Sequence, residues 1–178
     1  MSDAGDSYDE LMRYCNTAML VVTASDGRER AGCVVGFHSQ CGIDPLQHGV
    51  WLSKANHTYR VALHATELAV HFLTPSDEDV ARLFGESSGD EIDKFEHVAW
   101  HAGESQAPLL DALPNRFIGR RAALFEAGGD HACFLLTVQD AHCAEDLRPL
   151  RFDALGGLSP GHAAEDRPAP AVTRTDPA

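Results

Sequence analysis

The sequence predicts a mostly β (β+α) domain, a small β-barrel with short helical insertions. Three observations carry this reading. Apolar, β-branched runs of strand length recur along the chain with turn signals between them. The helix-like patterns are short and fall between those runs. The chain of 178 residues, 44% hydrophobic, is long enough for one domain with a real core. Closing several antiparallel strands into a barrel also removes exposed sheet edges.

The elements follow in order. Residues 1–6 are expected to be disordered. Ser7-Tyr-Asp-Glu10 has capping-box spacing and predicts a helix to about Tyr14. Ala18–Ala24 (AMLVVTA) is continuously apolar, so it reads as a strand covered on both faces. Asp26-Gly27 marks a hairpin turn, and Arg30–Phe37 returns antiparallel. Gly49–Ser53 is a third strand, followed by a helix over Tyr59–Ala65 with Thr58 as its cap. Leu68–Leu73 is a fourth strand. Thr74-Pro75 opens a helix ending near Gly85, because proline suits the first helical position. Glu91–Phe95 reads as a helical turn and His101–Leu113 as loop. Arg116–Glu126 and His131–Ala141 are two long strands joined by Ala127-Gly-Gly-Asp130, and Leu150–Leu155 is a last short strand. From Ser159 the composition turns to Pro, Ala, Asp, Arg and Thr. Residues 1–160 therefore read as one domain and 161–178 as a disordered tail.

Charge narrows the function classes. A formal net charge of −13 argues against nucleic-acid partners and against an anionic membrane surface. No run approaches the roughly 18 apolar residues of a membrane span. The start MSDAGDSYDE is acidic and has no apolar signal region. The five cysteines are an odd number without a CxxC pair, which fits free thiols and a cytoplasmic location.

The stretch Ala31–Pro45 (AGCVVGFHSQCGIDP) is the focus of the chemistry. Gly32 and Gly36 lack a Cβ and admit close approach of another group to the backbone. Ser39, Gln40 and Cys41 offer donors past the strand end. This suits a planar, phosphate-bearing ligand; a bulged strand and loop without a ligand is the alternative. Only two lysines occur, Lys54 and Lys94. Lys54, Asn56 and Thr58 sit where a helix begins and could hold a phosphate; an ordinary threonine cap beside an exposed lysine is the alternative. Cys33, His38 and Cys41 form a competing zinc-type set. Their C-x4-H-x2-C spacing is not a standard finger, and residues 33 and 38 face opposite sides of a regular strand, so no metal is expected. No GxSxG or Ser–His–Asp pattern is present.

Gly-x-x-x-x-Gly-Phe-x-Ser-x-Cys-x-x-x-Pro resembles the flavin reductase-like family. Leu52–Thr58 (LSKANHT), Leu68–Leu73, Leu83-Phe84, Asp93–Phe95 (DKF), Trp100, Pro108–Leu110 and Gly129–His131 (GDH) follow in the family's order, over roughly residues 14–160. The resemblance implies an FMN-binding split β-barrel, with FAD as the other flavin and NADH or NADPH as reductant. It implies a homodimer with flavin at the subunit interface, and a flavin-dependent monooxygenase as recipient of the reduced flavin. Cys33, Val34, Val35, Gly36 and Phe37 would lie along the isoalloxazine. Ser39, Gln40 and Cys41 would reach the ribityl chain or phosphate, and Lys54, Asn56 and Thr58 the phosphate. Lys94 and Phe95 would approach from the second subunit, and His131 would stand at the reactive face as the catalytic residue. The departures are Cys33 and Cys41 in place of hydroxyl residues, Leu46 in place of a second proline, and no C-terminal aromatic in Leu155–His162. The last keeps open a non-catalytic FMN-binding electron-transfer or flavin-storage protein, or a barrel holding a deazaflavin or heme.

Overall fold

A computed structural model describes residues 3–155; the expected tail and His162 lie outside them. An N-terminal helix α1 (Asp3–Cys15) precedes the barrel and begins earlier than expected, since residues 3–6 are helical rather than disordered. The predicted hairpin follows: β1 (Leu20–Ser25) and β2 (Arg30–Val35), turning at Gly27 with φ +85°. Then come β3 (His38–Ile43), β4 (Leu46–Ser53), α2 (His57–Ala62) and β5 (Glu67–Phe72). A 3-10 turn, Pro75–Asp77, leads into α3 (Glu78–Glu86). Asp77 ties this start down by accepting from the Thr74 N–H at 2.8 Å. Two short strands, β6 (Trp100–Ala102) and β7 (Pro108–Leu110), pair with each other. The long strands β8 (Arg116–Phe125) and β9 (His131–His142) complete the main sheet.

That sheet is antiparallel throughout, in the order β2-β1-β5-β8-β9-β4-β3. It curls but does not close: no ladder joins the edge strands β2 and β3, although Gly36-Phe37 runs from one to the other. This is a split barrel. β1 is buried on both faces, as its apolar run predicts. Leu20, Val22 and Ala24 join Leu52, Leu68, Val70, Phe134 and Leu136 inside the barrel. Val21 joins a second cluster outside it with Leu73, Phe84, Phe95, Leu110 and Leu113, under α3 and the β6–β7 hairpin.

Polar groups bridge the seam. The Trp51 N–H donates to the Phe37 carbonyl at 2.9 Å. His38 Nε2 donates to the Ala18 carbonyl at 2.8 Å, which leaves His38 Nδ1 to accept from His48 Nε2 at 3.1 Å. Burial holds both imidazoles below the ordinary histidine range, His48 at about 4.

Four expectations are corrected. Ser39, Gln40 and Cys41 are not in a loop but on β3, an edge strand laddered to β4 with a bulge between Gln40 and Gly42. The short helix begins at His57, and its cap is Asn56, whose Oδ1 accepts from the Thr58 N–H at 2.9 Å; Thr58 is already inside. The segment 101–113 is not all loop, because β6 and β7 form within it. Leu150–Leu155 is a single bridge, Ala18 to Arg151, followed by a 3-10 turn, Phe152–Leu155. Where tertiary pairing rather than local pattern decides, these short segments carry too little sequence signal.

Candidate functional site

A cleft of about 320 Å³ opens where β2 begins, α2 begins and the segment 89–95 passes between them. Its walls include Arg28, Arg30, Gly32, His57, Asp93 and Lys94. Lys94 is buried to 4% exposure, and its Nζ donates to the carbonyls of Gly32 at 3.0 Å and Phe84 at 3.1 Å. The ammonium also lies 5.6 Å from the Phe84 ring centroid. Among the described residues no carboxylate is paired with it, and desolvation lowers its pKa. A buried cation held by two carbonyls retains the capacity for one more acceptor. Beside it, burial pushes the Cys33 thiol up. The neighbouring Thr58 hydroxyl is enclosed and faces the Cys33 sulfur, toward which it is a donor.

Carboxylates pair with Arg30, His57 and Arg60 around the cleft. Arg30 pairs with Asp93 and stacks over Trp100, 4.9 Å from the ring centroid. His57 Nδ1 lies 2.9 Å from Asp90 and its Nε2 lies 3.5 Å from Glu29. Arg60 shares Asp90, and the hydrogen bonds from Arg60 and then His57 hold the Asp90 carboxyl below its usual range. The lining carries Arg28, Arg30 and Lys94 against Glu29 and Asp93. Three cations against two anions give +1 with histidine neutral, in a chain of net −13.

A second neighbourhood lies at the barrel end where β4 stops and β9 starts. The Phe37 ring, 63% exposed, meets His131 edge-on with centroids 5.2 Å apart. His131 Nδ1 stands 3.2 Å from Asp130 Oδ1, and the Asp130 carbonyl accepts from the Lys54 N–H at 2.9 Å. The Lys54 ammonium pairs with Glu126 at 3.3 Å, and the same carboxylate accepts from the Tyr59 hydroxyl at 2.8 Å. Those two donors lower the Glu126 pKa, Tyr59 first, while desolvation and the carboxylate push Tyr59 up to about 12.

The fold thus brings Phe37, Lys54, Asn56 and His131 to one end of the barrel and sets Lys94 in the cleft wall, while Thr58 is enclosed beside Cys33. Other expected residues lie elsewhere. Cys33 and Val35 point into the barrel core, and Val34 faces the outer cluster. The close approach at Gly32 is made by Phe84, whose ring would lie 2.7 Å from a Cβ there; at Gly36 the neighbour is Met19. Ser39 and Gln40 hydrogen-bond only to backbone carbonyls beside them on β3, and Cys41 is exposed. Phe95 is buried against Phe84 and Trp100 of its own chain. Lys94 is likewise enclosed by its own chain. Cys33, His38 and Cys41 are not assembled, and among the described residues no cluster of three or more His, Cys, Asp or Glu could hold a metal. Sequence reading gave no role to Arg30, His57 or Glu126. His57 lies within LSKANHT, but its pairing with Glu29 and Asp90 depends on contacts distant along the chain.

Comparison with known proteins places this geometry. The model of the flavin reductase like domain matches residues 12–156, so the chain belongs to the flavin reductase-like family. The reductase component of the flavin-dependent trigonelline monooxygenase of Acinetobacter baylyi is 26% identical over 132 residues, 74% of this chain and 41% of that protein. The chain therefore spans less than half the length of that relative. The NADH:FAD oxidoreductase SgcE6 of Streptomyces globisporus C-1027, in complex with NAD and FAD fragments, superposes with a TM-score of 0.72 at 25% identity, covering 87% of this chain and 93% of that one. The flavin reductase domain protein of Arthrobacter sp. FB24 gives a TM-score of 0.74 at 17% identity over 84% and 91%, a likeness of fold. Among the described residues no helix is long and apolar enough to cross a membrane.

Proposed function

We propose that the protein is a reductase that passes hydride from NADH or NADPH to a flavin, FMN or FAD, and delivers the reduced flavin to a partner monooxygenase. One observation carries the reading: Lys94, a buried ammonium paired with no carboxylate among the described residues, lines a cleft that is net positive in an acidic protein. That setting fits a flavin phosphate. When bound, the flavin supplies the hydride-accepting chemistry. Lys94 would hold the phosphate, with Asn56 fixing the start of α2 and Lys54 adding positive charge nearby. Phe37 and His131 would flank the ring system. Ser39, Gln40 and Cys41 remain candidates for the ribityl chain, and the backbone of 33–37 for the ring edge.

A second copy of the chain is the proposed partner at the barrel wall. Phe37, Ile43, Leu46, Trp51 and Phe125 are exposed apolar side chains on the strands and bends around β3, β4 and β8. Burying them in a homodimer removes an apolar surface that a monomer would leave wet. We place the protein in the cytoplasm, where its five free thiols persist.

The test is flavin-dependent NADH and NADPH oxidation by purified protein, with the visible spectrum recorded before and after adding FMN and desalting. Oxidation well above the enzyme-free rate is expected. Flavin retained without turnover would favour the electron-transfer or storage reading that the missing C-terminal aromatic motivates.

A further inference from the structure

The segment 87–93 joins α3 to the 3-10 turn Lys94–Glu96 and runs along the cleft. Gly89 lets it sit directly on the start of α2, because a Cβ there would stand 3.2 Å from Cβ and Cγ of His57. Its backbone bonds are local. The Glu91 and Ile92 N–H groups donate to the Ser88 carbonyl at 3.2 and 3.1 Å, and the Glu96 N–H donates to the Asp93 carbonyl at 3.2 Å. No strand ladder among the described residues includes the segment.

Carboxylates tie it across the cleft instead. Asp90 accepts from His57 Nδ1 at 2.9 Å and from Arg60. Asp93 Oδ2 lies 2.5 Å from Arg30, while its Oδ1 accepts from the Phe95 N–H at 3.0 Å and so steadies the turn that carries Lys94. The cleft thus has its own counter-anions. Arg30 and His57, both on its wall, face carboxylates of this one segment, with Glu29 a more distant neighbour of His57. The Asp90 and Asp93 side chains are 51% and 38% exposed. Ion pairs so exposed are individually weak. A phosphate monoester carries about −1.5 to −2 charges and three acceptor oxygens, so it competes well against one carboxylate at a time.

We propose that the segment 87–93 is an autoinhibitory strap: Asp90 and Asp93 compete with the flavin phosphate for His57 and Arg30, and the phosphate displaces them on binding. The inference rests on the flavin reading above and concerns the regulation of that same site. Lys94 would be the fixed anchor for the phosphate, and Arg30 and His57 the donors that the strap yields.

The test is equilibrium binding of FMN and riboflavin to the full chain and to Asp90→Asn, Asp93→Asn and Glu91→Gln. Asparagine keeps an acceptor at each position, including the one that Phe95 uses, and removes the charge. Glu91 lies on the same segment and pairs with no cation among the described residues, so its variant measures loss of charge without release of a donor. FMN is expected to bind about threefold to tenfold more tightly to Asp90→Asn and Asp93→Asn, the scale of one or two exposed ion pairs given up. Riboflavin, which has no phosphate, should bind all four proteins alike, which also shows that the variants are folded. The Asp90→Asn gain should vanish when His57 and Arg60 are both replaced by glutamine, since the donors it releases are then gone. An equal gain in Glu91→Gln, or a gain that survives those two replacements, overturns the strap in favour of a general effect of charge. FMN affinity unchanged or weaker in the two aspartate variants overturns it while the flavin reading stands. Failure of all these proteins to bind either flavin overturns both.

Discussion

The two lysines of this chain occupy opposite electrostatic settings. Lys54 lies near the surface with a carboxylate already beside it: Glu126 at 3.3 Å, itself steadied by Tyr59. Lys94 is enclosed, pairs with no carboxylate among the described residues, and is held by two backbone carbonyls and the face of Phe84. A charge compensated only by neutral dipoles in a poorly solvated place has more to gain from an anion than one already paired. The comparison teaches that a cation's value to a phosphate depends on what holds it when the phosphate is away. By that measure Lys94 outranks Lys54, although both fall in segments where the family resemblance places flavin contacts.

The most damaging way to disturb the Lys94 setting is to remove its floor. Phe84 is 1% exposed, packs edge-on against Phe95 with centroids 5.5 Å apart, and fills the space that Gly32 leaves by lacking a Cβ. Phe84→Ala should cost about 3–5 kcal/mol, read from chemical denaturation. A loss below about 1 kcal/mol would show that the outer cluster reorganises, and that Lys94 is not held as described.

Next in size is an acid effect on the same cluster. His71 is fully buried; its Nδ1 donates to the Val21 carbonyl at 3.3 Å, and its Nε2 accepts from the Leu110 N–H at 3.2 Å. Only the neutral ring can do both. Burial lowers its pKa from 6.5 to about 4. The unfolded chain therefore binds the proton more readily, so stability is full above about pH 6.5 and falls as pH drops towards 4. The total is about 3 kcal/mol at about 1.36 kcal/mol per pKa unit. His71→Gln, which can still donate and accept, should flatten the unfolding free energy across that window, the remaining slope coming from His48 and His38. An unchanged slope would remove His71 as its source.

Much of this was legible in the sequence. The AMLVVTA run, the Asp26-Gly27 turn and the two long strands at 116–126 and 131–141 have strong local patterns, and the sheet follows them. β3 was not legible, because HSQCGI has no apolar alternation; its pairing with β4 makes it a strand. Gly32 was correctly read as a point of close approach, but the approaching group is Phe84, fifty-two positions away, and sequence spacing cannot show that. Lys94 was singled out for its rarity. Its burial could not be seen, because it depends on the Gly32 and Phe84 carbonyls meeting at one point.

Lys94→Met tests the comparison directly. It leaves two carbonyls without a donor, a cost of about 1–3 kcal/mol, partly offset by removing an uncompensated charge. If Lys94 serves the phosphate, FMN and FAD affinity should fall about tenfold or more while riboflavin, which has no phosphate, binds as before. Equal losses for riboflavin and FMN would make its role purely structural.

Lys54→Ala should have the smallest effect on stability, within about 1 kcal/mol, because an ion pair with one exposed partner contributes little and Glu126 keeps its bond to Tyr59. Its effect on ligands is the finer test. With Glu126 already beside it, Lys54 has a competing anion to leave before it can serve a phosphate. The FMN-specific loss in Lys54→Ala should therefore be smaller than in Lys94→Met. Glu126→Gln, which retains an acceptor for Tyr59 but removes the competing charge, should tighten FMN and leave riboflavin unchanged. That gain should vanish in the Lys54→Ala background. If Lys54→Ala instead matches or exceeds Lys94→Met in FMN-specific loss, the ranking of the two lysines is reversed and the phosphate belongs at the β4–β9 end of the barrel.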